Sequence, residues 1–260
     1  MVKKNEKFAE YLTTEPIFGP YGFWISELSN IEKGMRLLDV GCGIGVCTFP
    51  LAKIIGSHGK VIGVDLSSQF ISKAVQIAKY LQISNISFAV GNAEGLEFSE
   101  NTFDRVISNF AINQVIDKLR ALKEMKRVLK PGGILGFIIP GPEHFKEIFD
   151  VAESIINSER FQQRKEMLHA TEAIYQSLLR SVGFVDIKVY SKIKTFHIPN
   201  LDIYNLILSS RGPKNIVLSN IPEKKRKKVW DEILNTFKKK LGENLHLALT
   251  VDAYGFAAKS

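Results

Sequence analysis

The chain has 260 residues, 45% apolar and 24% charged, with 35 Lys/Arg against 27 Asp/Glu and a formal net charge of +8. This balance excludes a disordered or fibrous polymer and fits one large globular domain with a full core. Two cysteines exclude a disulfide framework, no apolar run reaches the ~18–20 residues of a membrane helix, and the charged start MVKKNEKFAEYL lacks the apolar stretch of a signal peptide, so a cytoplasmic location is expected.

The first 30 or so residues read as helical and aromatic-rich (Tyr11, Phe18, Tyr21, Phe23, Trp24), broken up by Pro16, Gly19, Pro20 and Gly22. Strands and helices then alternate. Residues 35–41 (MRLLDVG) form a short apolar strand that ends in glycines, and residues 46–56 a helix stopping at Gly56. KVIGVDL is a second strand, followed by Ser67 as an N-cap and a helix to about Gln82. ISFAVG and FDRVISN are the third and fourth strands. A helix over 115–130 ends in Pro-Gly-Gly, and GILGFIIPG is a fifth strand, apolar as in a sheet covered on both faces. This rhythm predicts an α/β, doubly wound, Rossmann-like parallel sheet.

After Gly141 the pattern changes. Residues 143–182 read as helices broken near Asn157 and His169. Residues 183–196 alternate apolar and polar, as an antiparallel edge strand does, residues 200–243 are again helical, and LALTVDAYGFAAK is a last strand. The last two strands predict a terminal hairpin carrying a helical insertion. The basic surplus is local: residues 211–243 hold ten Lys/Arg against four Asp/Glu, and residues 1–210 only two net positive charges.

The glycines of LLDVGCGIGVCTF lie where a buried strand turns into a helix, the place at which backbone approaches a ligand and helix N–H groups are free. A phosphate loop is excluded, because no lysine follows until Lys53. A dinucleotide loop would place its third glycine at position 46, which is Val46. Asp39, two residues before Gly41, is unfavourable for a pyrophosphate and favourable for a cationic ligand. Asp65, at the end of the second strand, is placed to accept hydrogen bonds from two ribose hydroxyls. NAD and S-adenosylmethionine (SAM) share that ribose chemistry, so Asp65 alone leaves both open.

Four stretches in this order, LLDVGCGIG, VIGVDLS, VGNAEGLEFSENTFDRVISN and MKRVLKPGG, resemble the class I SAM-dependent methyltransferases, in particular the small-molecule branch of the menaquinone and ubiquinone methyltransferases. The resemblance covers about residues 34–140. It implies a seven-stranded sheet with a terminal antiparallel hairpin, one methyltransferase domain over 1–260 with a SAM-binding core at 34–140, and a helical cap from 1–33, 143–182 and 200–243. It also implies roles for particular residues. Asp39, Gly41 and Gly43 would hold the methionine part of SAM, Asp65 the ribose, Leu66 and Phe70 the adenine faces, and Asn92, Ala93 and Glu94 the adenine edge. Asn109 would approach the methionine portion, and Tyr21, with Tyr11 and Phe18, would belong to a lid. Position 92 departs from the family's usual aspartate; the Asn92 carbonyl still accepts a hydrogen bond but without charge assistance. Asn113 and Gln114 stand where relatives often carry histidine.

No residue declares itself as a catalytic base. The candidates are His144 and Glu143, just after the fifth strand, and Gln114; His169 and His197 are weaker. Cys42 and Cys47 are five apart, off the Cys-x-x-Cys spacing, and read as small packed residues, so no metal is expected. The run 224–240 sets Val229, Trp230, Ile233, Leu234 and Phe237 on one helix stripe with lysines at its ends, a solvated face or a contact for nucleic acid or an anionic membrane. With no RNA-binding signature present, a nucleic-acid substrate is disfavoured. The function expected is methyl transfer from SAM to O, N or C of a small hydrophobic acceptor. The alternatives are an RNA or protein methyltransferase, a SAM-binding protein without catalysis, and an NAD enzyme. Acceptor identity and oligomeric state stay open.

Overall fold

A computed structural model describes residues 9–156, 159, 161, 172–210, 213–241 and 247–260. In chain order the elements are α1 (Ala9–Leu28), β1 (Arg36–Val40), α2 (Thr48–Ile55), β2 (Lys60–Asp65), α3 (Ser68–Tyr80), β3 (Ile86–Val90), β4 (Phe103–Asn109), a 3-10 turn (Ile112–Gln114), α4 (Lys118–Val128) and β5 (Leu129–Pro140). They continue with α5 (Lys146–Ile156), α6 (Glu172–Val182), β6 (Val185–Ile198), α7 (Leu201–Ser210), α8 (Pro213–Leu218), α9 (Glu223–Leu241) and β7 (Leu247–Lys259). The strands form a seven-stranded sheet in the order β3-β2-β1-β4-β5-β7-β6. Neighbours from β3 to β5 run parallel. β7 enters between β5 and β6 in the opposite sense: Gly132 and Gly133 bond Ser260 at the start of β5, and Gly141 bonds Asp252 beyond its end. The expected terminal hairpin is present, with β6 on the edge and, among the described residues, α7, α8 and α9 inserted between β6 and β7.

The chain divides into two compact units. One comprises residues up to 139, 171–191 and 254–260; the other comprises 140–170 and 192–253. In the first, central strand residues Leu37, Leu38, Val61, Val106, Ile107 and Leu135 are fully buried, as expected for a parallel sheet covered on both faces. Phe137 stacks on Phe256 at 4.5 Å between ring centres, with Tyr175 alongside. In the second, α5 and α9 pack together, with Phe149, Trp230, Ile233 and Phe237 buried. The breaks expected near Asn157 and His169 lie outside the described residues, and His169 with them.

Two local expectations are corrected. The N-terminal prolines and glycines do not break the helix: α1 is continuous from Ala9 to Leu28 with Pro16 and Pro20 inside it. Each proline removes one backbone donor, but Ile17, Phe18, Tyr21, Trp24 and Ile25 are all buried, so tertiary packing outweighs the lost bonds. The Pro-Gly-Gly after α4 is not a loop between helix and strand. It lies within β5, with a register shift between Phe103 and Arg105 of β4 and Gly132 in the left-handed region at φ +76°.

Gly22 is a packing position. A Cβ there would lie 2.7 Å from the Cys47 carbonyl oxygen, a backbone atom that has no room to yield. Gly22→Ala should therefore destabilise the fold by about 1–3 kcal/mol, although alanine is the better helix former by about 1 kcal/mol. Equilibrium denaturation checks the sign; a stabilised variant would refute the contact.

Candidate active site

In a sheet ordered 3-2-1-4-5, the chain winds outward from β1 to β3 and then returns to β4. The gap above the carboxyl ends of β1 and β4 is the topological switch point, where ligands bind in this architecture. The register sets Asp39 opposite Ile107, so Asp39 and Asn109 end adjacent strands.

Asp39 is buried in an apolar strand (1% exposed). Its Oδ2 accepts a 2.6 Å hydrogen bond from the Thr48 hydroxyl at the start of α2, while Oδ1 has no partner among the described residues. Burial pushes the Asp39 carboxyl up to about 7; the Thr48 hydroxyl pulls it down and the charge of Asp65 adds to the rise. A buried carboxylate with one unpaired oxygen and a second carboxylate nearby is an arrangement that a cation relieves.

The glycine loop leaves β1 under two restraints. Gly41 N–H and Cys42 N–H both donate to the Val64 carbonyl of β2, at 2.8 and 3.0 Å. Gly41 sits at φ +78°, and a Cβ on it would overlap the Ala111 methyl. Only glycine satisfies both the dihedral and the approach of the segment after β4. Gly43, at φ +55°, has open space where its Cβ would be, and its N–H donates to Asp65 Oδ2 at 2.9 Å. Asp65 Oδ1 accepts from Ser67 N–H at 2.9 Å, and Ser67 caps α3 as expected. Asp65 thus fastens the loop to the end of β2 and retains acceptor lone pairs.

The remaining expected positions surround these. Leu66 is exposed (73%) and Phe70 half-buried. Asn92 is exposed, and its Oδ1 accepts from Glu94 N–H at 3.0 Å, so the carbonyl assigned to the adenine edge already shapes its own turn. Ala93 is half-buried in the same turn, which Glu94 ties to the next helix by accepting from Asp117 N–H at 3.2 Å. Both amide atoms of Asn109, the Ser108 hydroxyl and Asn113 Oδ1 are buried without partners among the described residues. Tyr21 is buried, with its ring edge-on to Phe110 at 5.3 Å. Phe110 holds φ +52° directly after β4 and also meets Phe18. Thr48, Ser108, Phe110 and Ala111 escaped sequence reasoning. A threonine nine residues from an aspartate carries no periodic signal, and a positive φ at phenylalanine is invisible in composition.

The base candidates are engaged elsewhere. His144 is buried in the second unit, Nδ1 2.8 Å from the Asp252 carbonyl oxygen. Glu143 pairs with Lys146 at 2.6 Å, and Gln114 is exposed and donates to the Phe110 carbonyl at 3.1 Å. His197 is exposed on β6. Cys42 and Cys47 are buried free thiols; burial first, then the charges of Asp39 and Asp65, push the Cys42 thiol up, and Cys47 Sγ–H donates to the Phe18 carbonyl. No cluster of metal ligands occurs among the described residues.

A switch-point sheet with a glycine turn, an acid at the end of β2 and a buried acid on β1 is the architecture of a nucleotide- or nucleoside-binding protein. Comparison with known proteins makes this specific. Residues 31–183 match the family described as "Methyltransferase domain". A demethylmenaquinone methyltransferase of Geobacillus sp. (strain WCH70) is 33% identical over 178 residues, 62% of this chain and 76% of that protein. One from Bacillus cereus (strain ATCC 10987 / NRS 248) is 41% identical over 106 residues, 41% of this chain and 45% of that protein. A solved structure of Haemonchus contortus phosphoethanolamine N-methyltransferase 2 with S-adenosyl-L-methionine shares the fold at TM-score 0.60 and 22% identity, covering 96% of this chain and 56% of that one. The chain belongs to the methyltransferase-domain family: it is a class I, SAM-dependent small-molecule methyltransferase.

Proposed function

We propose that Asp39, Gly41, Gly43 and Asp65 hold the methyl donor as the resemblance implies. Asp39 would receive its ammonium end and Asp65 its ribose, with Leu66, Phe70 and the 92–94 turn at the adenine, Asn109 beside the methionine portion and Tyr21 in a lid over the donor. The observation that carries this is the unpaired, buried Oδ1 of Asp39 beside the glycine loop. Bound SAM supplies an already activated, electrophilic methyl group, so the chain's own residues have little covalent work. They position donor and acceptor and exclude water, which is where most of the rate arises in such a transfer. His144 and Glu143 are both held by other groups, so positioning ranks above acid–base catalysis.

The acceptor we infer is a small apolar molecule of the kind named for the demethylmenaquinone relatives, recognised through the segments 143–182 and 200–243 in the cap role the resemblance implies. Phe145, Phe149, Ile207 and Leu208 are buried in the core of the second unit, so the preference rests on the relatives. The enzyme is expected to work in the cytoplasm; no helix among the described residues is long and apolar enough to cross a membrane. The test is a melting series with SAM, S-adenosylhomocysteine and NAD, followed by methyl transfer to a short-chain demethylnaphthoquinol. Stabilisation by the first two and not by NAD is expected. NAD alone stabilising the protein would overturn the cofactor assignment, and SAM binding without any turnover would leave a binding protein.

Donor binding should depend on pH with a definite sign. In the free fold Asp39 titrates at about 7, against an unfolded value near 3.8. Its protonated form is therefore favoured by folding, and this favourable contribution, complete below the unfolded value, is lost as pH rises through the folded one. A cationic ligand needs the ionised form, so binding below pH 7 must release a proton. Affinity should rise about tenfold per pH unit towards 7 and then level off. Thr48→Val removes the hydrogen bond that lowers the titration point, so the rising limb should move to higher pH. Calorimetry in buffers of different ionisation enthalpy reads the proton directly; a pH-independent affinity would refute the ionic role of Asp39.

A further inference from the structure

We propose that the basic N-terminal half of α9 is a docking surface for anionic lipid, holding the protein on a membrane face without insertion. Lys224, Lys225, Arg226, Lys227 and Lys228 are consecutive and all exposed. Arg226 Nε donates to the Ile221 carbonyl at 2.9 Å, and among the described residues no side-chain bond engages the four lysines. The helix carries three carboxylates, Glu223, Asp231 and Glu232, and no ion pair joins them to these lysines among the described residues. The opposite face is fixed inside the second unit. Trp230, Ile233, Leu234 and Phe237 are buried, the Trp230 indole N–H donates to Asn205 Oδ1 at 2.8 Å, and Phe237 packs on Tyr204 at 4.8 Å. The five residues wind once round the helix, so Lys224, Lys225 and Lys228 stand on a fixed scaffold opposite that core, with Arg226 and Lys227 flanking the apolar stripe. Lys239, three turns beyond Lys228 and exposed, extends the same side.

The arrangement disfavours the helix by itself. Five cations crowd the end where the macrodipole is already positive, with Glu223 alone to offset them. An external anionic surface reverses that sign, and clusters of four to eight Lys/Arg on an amphipathic helix are what acidic headgroups attract. Lipid is favoured over nucleic acid on two grounds. Four of the five residues are lysines, point charges suited to a diffuse headgroup plane, whereas base and phosphate forks favour arginine. No exposed large apolar or aromatic side chain occurs among the described residues of 213–241, so bases have no stacking platform. The usefulness of docking, a route to an acceptor dissolved in lipid, rests on the apolar-acceptor reading above; the surface and its test do not.

The experiment is sedimentation of the full chain with phosphatidylserine-containing and pure phosphatidylcholine vesicles, at low and high salt and without any acceptor. Binding to the first only, reversed by salt, is expected. Combined Lys224→Gln, Lys225→Gln and Lys228→Gln should lower partition roughly a hundredfold, about fivefold per charge, with SAM affinity unchanged and the melting temperature not lowered, since relief at the helix N-terminus can only raise it. Equal binding to both vesicles, no binding at low salt, or equal binding by the variant would overturn the proposal. So would tighter binding of a homopolymeric RNA than of anionic vesicles, which would give the surface to nucleic acid. Failure of the acceptor reading appears separately, as vesicle binding without methylation of the demethylnaphthoquinol.

Discussion

Asp39→Asn should give a more stable protein that binds its methyl donor poorly. In the free fold the Asp39 carboxyl is pushed up to about 7, so above that pH the chain holds a buried charge partnered, among the described residues, by the Thr48 hydroxyl alone. Asparagine keeps the carbonyl that accepts from Thr48 and removes the charge. At pH 8 the free variant should gain on the order of 2 kcal/mol, less than the full titration shift implies because the new amide N–H₂ is itself buried. Below pH 4, where Asp39 is protonated in both states, the gain should vanish. Donor affinity should fall at least tenfold, since the ammonium loses its counter-ion. Denaturation at two pH values and calorimetric titration with SAM measure both effects on one preparation. A variant that is both destabilised and unimpaired in binding would mean that Asp39 is an ordinary core residue.

Asp65→Ala should produce the larger loss of binding, with a smaller cost to the fold. The carboxylate accepts from Gly43 N–H and Ser67 N–H, so its removal loosens the glycine loop and the entry to α3. Losing those bonds should cost about 1–2 kcal/mol of stability. Two charge-assisted bonds to a ribose are together worth roughly 3–5 kcal/mol, so SAM affinity should drop about a hundredfold or more. Asp65→Asn separates the two roles: it keeps an acceptor for one N–H and should recover part of the stability, but little of the affinity. Unchanged affinity in the alanine variant would refute the ribose assignment.

What was legible in the sequence followed from local rules. A buried parallel strand is a run of apolar residues, a tight turn needs glycine, and a capped helix starts at Ser67; each is written within a few positions. The succession of strands along the chain to β5, the terminal hairpin and the placement of Asp39 and Asp65 near strand ends were readable for that reason. Pro16 and Pro20 misled because propensity is local while burial is not: α1 stays whole through side chains that meet β4, α2 and β7, far along the chain. The Pro-Gly-Gly at 131–133 misled likewise, since pairing with Ser260 draws it into β5.

The sequence by itself determined the fold class, the glycine turn, the two acids and so the family, because these depend on residue type and spacing. The tertiary structure alone decided their electrostatic state. Asp39 ends buried with Thr48 on one oxygen and no partner among the described residues on the other, His144 meets a backbone carbonyl, and Phe110 packs edge-on against Tyr21. Burial, partnership and the titration they set arise from atoms brought together from distant parts of the chain, and no spacing rule encodes them.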